Sequence, residues 1–380
     1  MYAATRPIAT VRHGYGEGME LRVDVAVIGG GQAGLATAFY LRRTGLRPGR
    51  DFVVVDGEER AGGAWQHTWE GLRLFSPATY SSLPGWMMPP WDDARLGFPP
   101  RSHVIDYLAR YEERYGLHVR RPHRVGTVER CEDGEHLVVR AGGLDVVARA
   151  VVSATGTWTQ PFWPAYPGAR EFGGRQLHVA QYRHPREFEG QRVAVVGGGN
   201  SGAQVLAEVS TLAETAWFTA KPPRFLPDDV DGRALFAAAT ARIEALREGR
   251  QHAGVAGLGD VVMVDIVRDA RARGVLEARP MFTRLTADGV LSSDGATFAA
   301  DAIIWCTGFR PALRHLRALH LATERGRPAV DGTSGTRAVS EQRLHLVGYG
   351  DWTGPASATL LGVGRSARAT VEEIVQVLQR

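Results

Sequence analysis

The 380-residue chain holds only two cysteines, Cys131 and Cys306, and neither has a partner at C-x-x-C spacing. That excludes a disulfide framework and fits a reducing compartment, so a cytoplasmic protein is expected. Lysine is scarcer still: lysine and arginine together number 45, and Lys221 is the only lysine among them. No apolar run approaches the roughly eighteen residues that span a bilayer, so no membrane segment is expected. Residues 1–20 lack the apolar core of a secretory signal and are expected to be a flexible extension. No basic block accompanies the net charge of +4, so nucleic acid is not an expected partner. His67, His103, His118 and His123 lack metal-ligand spacing, so no metal site is expected. With 44% hydrophobic and 23% charged residues, the composition is that of a globular protein long enough for two domains.

What the chain does have is glycine, 46 residues of it, and some of these fall into two matching patterns. Val23 to Ile28 is a short apolar run suited to a buried parallel strand. Gly29, Gly31 and Gly34 follow in G-x-G-x-x-G spacing, with Gln32 and Ala33 inside the turn. An apolar-periodic helix through Leu35, Ala38, Phe39 and Leu41 comes next, then the strand FVVVD, ending in Asp56. These glycines permit a tight turn, close approach of amides to a pyrophosphate, and helix-on-strand packing, while Asp56 can accept from ribose hydroxyls. The order recurs with a strand from Val193 to Val196, then Gly197, Gly199 and Gly202 enclosing Asn200 and Ser201. A helix through Val205, Leu206 and Val209 leads to a second strand, Ala216 to Thr219. Lys221 then stands where the first unit has Asp56. An acid there suits a free 2′-hydroxyl, whereas a cation suits a 2′-phosphate, to which Thr219 and Arg224 can add donors. Two such units imply that two redox cofactors meet: FAD on the first and NADPH on the second.

The tail, RLHLVGYGDWTG, is a further apolar strand presenting Gly350 and Asp351 to the FAD ribityl chain. A helix is expected from about Pro355 onward, its N-terminus facing the reduced flavin. Arg101 to Tyr115 is expected to be helical with Ser102 as N-cap, and a hairpin is expected around Gly142-Gly143. Strands ending at Thr155-Gly156 and Thr307-Gly308 suit the two crossings between domains. The expected fold is α/β, with two Rossmann-like, three-layer ββα dinucleotide-binding domains, the NADP domain inserted in the FAD domain. Residues 21–156 and 306–380 are assigned to the FAD domain and 157–305 to the NADP(H) domain, with a helical excursion at about 227–280.

Between the two units, FGGRQLHVAQYR fits F-x-G-x-x-x-H-x-x-x-Y through Phe172, Gly174, His178 and Tyr182. This resembles the fingerprint of the class B flavin-dependent monooxygenases, and Tyr182-Arg183 is similar to the flavin-containing branch rather than the Baeyer–Villiger one. GGAW, with Gly63 and Trp65, resembles the loop those enzymes run past the flavin. HTWEGLRLFSPATYSSLPGW, LPDDVDGR and LVGYGDWTGPASATL resemble a compact ArsO-type, CzcO-like subgroup associated with arsenic resistance. The resemblance implies that NADPH reduces FAD, that O₂ adds at C4a to give a hydroperoxide, and that a soft nucleophile takes one oxygen. A trivalent arsenical leads as substrate, with a sulfide or amine otherwise. An asparagine expected in amine- and sulfide-oxidising relatives is replaced by the region of Ser76, Pro77 and Thr79. His178, Tyr182 and Trp65 are the implied catalytic residues. The first two either lie beside NADP(H) or fix the interdomain turn, and Trp65 either covers the flavin or fills core. The partners are then a small-molecule substrate and O₂, with a homodimer as a further expectation. An NAD(P)H:acceptor oxidoreductase without oxygenation is the alternative; a dithiol reductase would need a cysteine pair that the sequence lacks.

Overall fold

A computed structural model of the protein describes residues 19–91, 98–228, 230 and 261–379. Strand β1 (Met19–Ile28) begins two residues inside the expected extension, whose residues 1–18 lie outside the described residues. Its last four residues, Val25 to Ile28, are buried because β2 (Phe52–Val55) and a later strand flank them in parallel. Burial on both faces explains why both strands read as continuous aliphatic runs. Helix α1 (Gln32–Arg43) connects β1 to β2. Helix α2 (Arg101–Arg114) is capped at Pro100 with no side-chain cap, which corrects the expected cap at Ser102. Proline, having no N–H to satisfy, is well suited to that edge of a helix.

Strands β3 (Thr127–Arg130), β4 (Leu137–Arg140) and β5 (Leu144–Ser153) form an antiparallel meander, its second turn at Gly142-Gly143. The chain then builds a second sheet from β6 (Arg175–His178), β7 (Arg192–Val196) and β8 (Glu214–Thr219), with helix α3 (Asn200–Val209) between the last two. Of the expected excursion at 227–280, residues 229 and 231–260 lie outside the described residues. The rest holds helix α4 (Asp265–Ala272), packed on α3, and strand β9 (Ala278–Pro280), which joins β8 in parallel. The end of the excursion is therefore part of the sheet, a correction. Strands β10 (Arg284–Thr286), β11 (Gly289–Leu291) and β12 (Thr297–Ala299) form an antiparallel layer, and β13 (Ala302–Trp305) runs between β6 and β7.

Strands β14 (Thr323–Glu324) and β15 (Arg327–Pro328) pair with each other. The chain then returns to the first sheet through β16 (Val330–Asp331), β17 (Arg337–Ala338) and β18 (Glu341–Leu346). Among the described residues the first sheet is eight-stranded and the second five-stranded, with an order of β6-β13-β7-β8-β9 in the second. Helix α5 (Val363–Leu378) covers the first sheet against α1. It begins at Val363 rather than near Pro355 because Gly354 and Ala356 adopt left-handed φ values of 126° and 57°. The Ser357 hydroxyl also donates to the Gly350 carbonyl at 2.8 Å, offering the backbone a turn in place of a helix.

Candidate functional site

A cleft of about 800 Å³ opens at the C-terminal ends of β1, β2 and β5. Gly29 to Ala33, Asp56, Gly63 and Trp65 form one side, and Thr155 to Gln160 with Ala312 form another. The turn into α1 needs glycine at both ends: Gly29 has φ 107°, and a Cβ on Gly34 would strike the Gly29 carbonyl. Neither α1, beginning after Gly31, nor α3, beginning after Gly199, has a side-chain cap. Their first-turn amides point out of the turn with the positive end of the helix dipole behind them.

Asp56 lies at the tip of β2 with its Oδ2 accepting from Arg121 Nε at 2.9 Å. Arg121 Nη1 donates to Glu112 Oε1 at 2.8 Å, while its Nη2 is buried with no hydrogen-bond partner among the described residues. Gly30 sits over this pair; a Cβ there would be 2.6 Å from Arg121 Nη2. On the same side, Trp65 is half-buried in the turn Gly63–His67, its Nε1 donating to Gln32 Oε1 at 3.3 Å. Gln32 in turn donates to the Ala358 carbonyl at 2.7 Å, tying the glycine turn to the tail. Gly350 and Asp351 stand outside the lining, which the tail enters through Gly348 and Ala358. Asp351 Oδ1 accepts from the Ala356 amide at 3.2 Å.

The second glycine turn repeats the first, with a Cβ on Gly202 striking the Gly197 carbonyl. Thr219 is buried beside Gly198, and Lys221 is exposed just past the end of β8. Arg224 is exposed and its carbonyl accepts from Val261 at 3.1 Å. The Asn200 side chain accepts from the Val262 amide at 2.8 Å, and Ser201 is half-buried. Among the described residues, nothing lies within 4 Å of a Cβ built on Gly199.

The model of the pyridine nucleotide-disulphide oxidoreductase family matches residues 26–348. A flavin-containing monooxygenase from Stenotrophomonas maltophilia is 50% identical, with a TM-score of 0.84 over 94% of this chain and 99% of that one. The chain belongs to the class B flavin monooxygenases. An uncharacterized CzcO-like oxidoreductase of Geobacillus kaustophilus is 26% identical over 359 residues, 94% of this chain and 99% of that protein. A bacillithiol disulfide reductase from Staphylococcus aureus, 14% identical over 94% of this chain and 99% of that one, shares the fold at a TM-score of 0.67.

In this monooxygenase the two fingerprint side chains are fully buried. His178 Nε2 lies 3.0 Å from the Gly308 carbonyl, and its Nδ1 accepts from the Ala180 amide at 3.1 Å. With Nδ1 accepting, the ring is neutral and Nε2 carries the proton donated to Gly308. Burial lowers its pKa, against the pull of that carbonyl. The Tyr182 hydroxyl donates to Glu208 Oε2 at 2.8 Å, and burial above all raises its pKa. Sequence reasoning missed Arg121, Glu208 and a buried chain behind the cleft: His315 Nε2 to Ser153 Oγ at 2.9 Å, then to the Tyr349 hydroxyl at 2.6 Å. No spacing pattern announces any of them. Among the described residues, no helix is long and apolar enough to cross a membrane, and no cluster could hold a metal ion.

Proposed function

We propose that the chain is an FAD-dependent, NADPH-using monooxygenase that transfers one oxygen atom from O₂ to a soft nucleophile. The observation that carries the reading is a turn built twice on two sheets, each opening an uncapped helix, one ending in buried Asp56 and the other in the lone lysine, Lys221. The residues present fit FAD in the first cleft. Uncapped amides at Gln32 and Ala33 suit a pyrophosphate, and Asp56, held through one oxygen by Arg121, keeps the other for ribose hydroxyls. Trp65 and Gln32 would bound the ring end. On this reading residues 21–156 and 306–380 bind FAD and 157–305 bind NADPH, with Thr219, Lys221 and Arg224 around the 2′-phosphate.

When bound, the flavin supplies the hydride-accepting and oxygen-activating chemistry. The protein binds, orients and excludes water. His178 and Tyr182 act by fixing the linker, consistent with their burial and saturated hydrogen bonds. A dithiol mechanism is not supported: burial pushes the Cys306 thiol up, and Cys131 follows β3 of the other sheet. A trivalent arsenical is the leading substrate, with a sulfide or amine next. The test is turnover of FAD-loaded protein with NADPH, ¹⁸O₂ and phenylarsenite, thioanisole or a tertiary amine. One labelled oxygen in a product supports the reading. Stoichiometric hydrogen peroxide with every substrate would replace it with an NAD(P)H:acceptor oxidoreductase.

A further inference from the structure

We infer that Glu208 is the positioning residue through which the Tyr182 fingerprint acts, locking the second glycine turn to the loop that carries Trp65. The inference deepens the monooxygenase reading and rests on it.

Glu208 lies near the C-terminal end of α3, the helix that the second glycine turn opens. Its two carboxylate oxygens have separate partners from distant parts of the chain. Oε1 accepts from the Trp69 indole at 3.0 Å, and Oε2 accepts from the Tyr182 hydroxyl at 2.8 Å. Trp69 follows the Gly63–His67 turn on the wall of the first cleft, and Tyr182 closes the fingerprint after β6. All three side chains are buried, at 7%, 4% and 0% exposure. The backbone at Gly71 passes so close that a Cβ there would strike Oε1. Two further bonds stitch the same segments: the Glu70 amide donates to the Arg183 carbonyl at 3.0 Å, and Arg183 Nη1 donates to the His67 carbonyl at 2.8 Å.

A buried carboxylate is costly to fold around, and an apolar side chain of similar size would pack at least as well. What the acid adds is direction. Two oxygens with two different donors specify the angle between α3 and the first-sheet loop, which sets how one cofactor faces the other. Burial raises the Glu208 pKa, and the two donors oppose that rise. Hydride transfer is sensitive to such alignment, because displacing reacting atoms by about 1 Å can cost on the order of a hundredfold in rate.

The test uses full-length, FAD-loaded protein with Glu208→Ala, Glu208→Gln, Trp69→Phe and Tyr182→Phe variants. Flavin reduction by saturating NADPH is followed by anaerobic stopped flow, beside flavin content and amide exchange at residues 67–71 and 180–183. Glu208→Ala should keep its FAD, lose about tenfold or more in the reduction rate, and exchange faster at both segments. Trp69→Phe and Tyr182→Phe, each removing one donor, should fall between it and the parent. If Glu208→Ala does not fold, Glu208→Gln, which can accept from only one of the two donors, carries the same expectation. Parent-like reduction rates in folded variants would overturn the inference, as would unchanged exchange. Failure of the parent itself to bind FAD or accept hydride would instead strike the monooxygenase reading, and amide exchange would still report on the latch.

Discussion

Lys221 and His315 show how single residues divide the work. Lys221 is exposed beside the second glycine turn, just past the end of β8. Lys221→Ala should therefore raise KM for NADPH by about tenfold, the scale of one hydrogen bond to a charged group, and leave KM for NADH nearly unchanged. Equal effects on the two cofactors in steady-state assays would remove the 2′-phosphate role. His315 is the opposite case, buried with Nε2 2.9 Å from Ser153 Oγ. Burial lowers its pKa to about 4, against a bond to Ala312 that favours the charged form. In the unfolded chain it titrates near 6.5, so between these values the unfolded state binds a proton that the folded state refuses. Stability from this group is complete above about pH 6.5 and is lost as pH falls toward 4. Its share is about 3 kcal/mol. Urea unfolding across that window should show a shallower pH slope in His315→Gln than in the parent. Identical slopes would show that His315 is already protonated in the fold.

Among the elements, a buried charge bridge reinforces the apolar packing and backbone hydrogen bonds that already join α2, β2 and the residues just after α2. Arg121 bridges Asp56 and Glu112, and its side chain is only 10% exposed. Arg121→Leu leaves buried Asp56 and half-buried Glu112 without their cation and should cost about 3–5 kcal/mol in urea unfolding. Arg121→Leu combined with Glu112→Leu should recover part of that loss; no recovery would mean that the arginine acts through packing alone. The contrast with the glycine turns explains what was legible in the sequence. Both strand-turn-helix-strand units could be read because their demands are local: buried aliphatic runs, and glycines where any Cβ would meet a carbonyl. The partners of Asp56 and Tyr182 could not be read, because Arg121 and Glu208 reach them from 65 and 26 residues away with no repeating pattern. The late start of α5 was hidden for another reason. Ser357 and Thr359 bond to nearby carbonyls, so residues 356–361, which hold neither proline nor glycine, stay in turns. At Gly350-Asp351 the glycine and acid were visible, but the cleft takes the tail in two residues earlier, at Gly348.

At the scale of the whole molecule, the chain leaves the first sheet once after β5 and returns once after β13, and these two crossings are bonded to each other. The Ala312 amide donates to the Gly156 carbonyl at 2.9 Å, Arg310 to Gln160 at 2.8 Å, and Phe162 to Gly308 at 2.9 Å. His178 adds its ring to the Gly308 carbonyl, and Trp158 stacks on Phe309 at 4.9 Å between centroids. A two-ply ribbon of this kind resists the independent motion that a single linker would allow, and the Trp69–Glu208–Tyr182 contact ties the two sheets at a second point. The sheets should therefore unfold together. FAD at about a hundred times its dissociation constant stabilises the state that binds it by about 2.7 kcal/mol. Calorimetry of the apo protein should show one transition, and FAD should move all of it upward, with amide protection rising in β7 and β8 as well as in β1 and β2. Two transitions, of which FAD shifts only one, would mean that the ribbon and the buried acid join the sheets in space without coupling their stability.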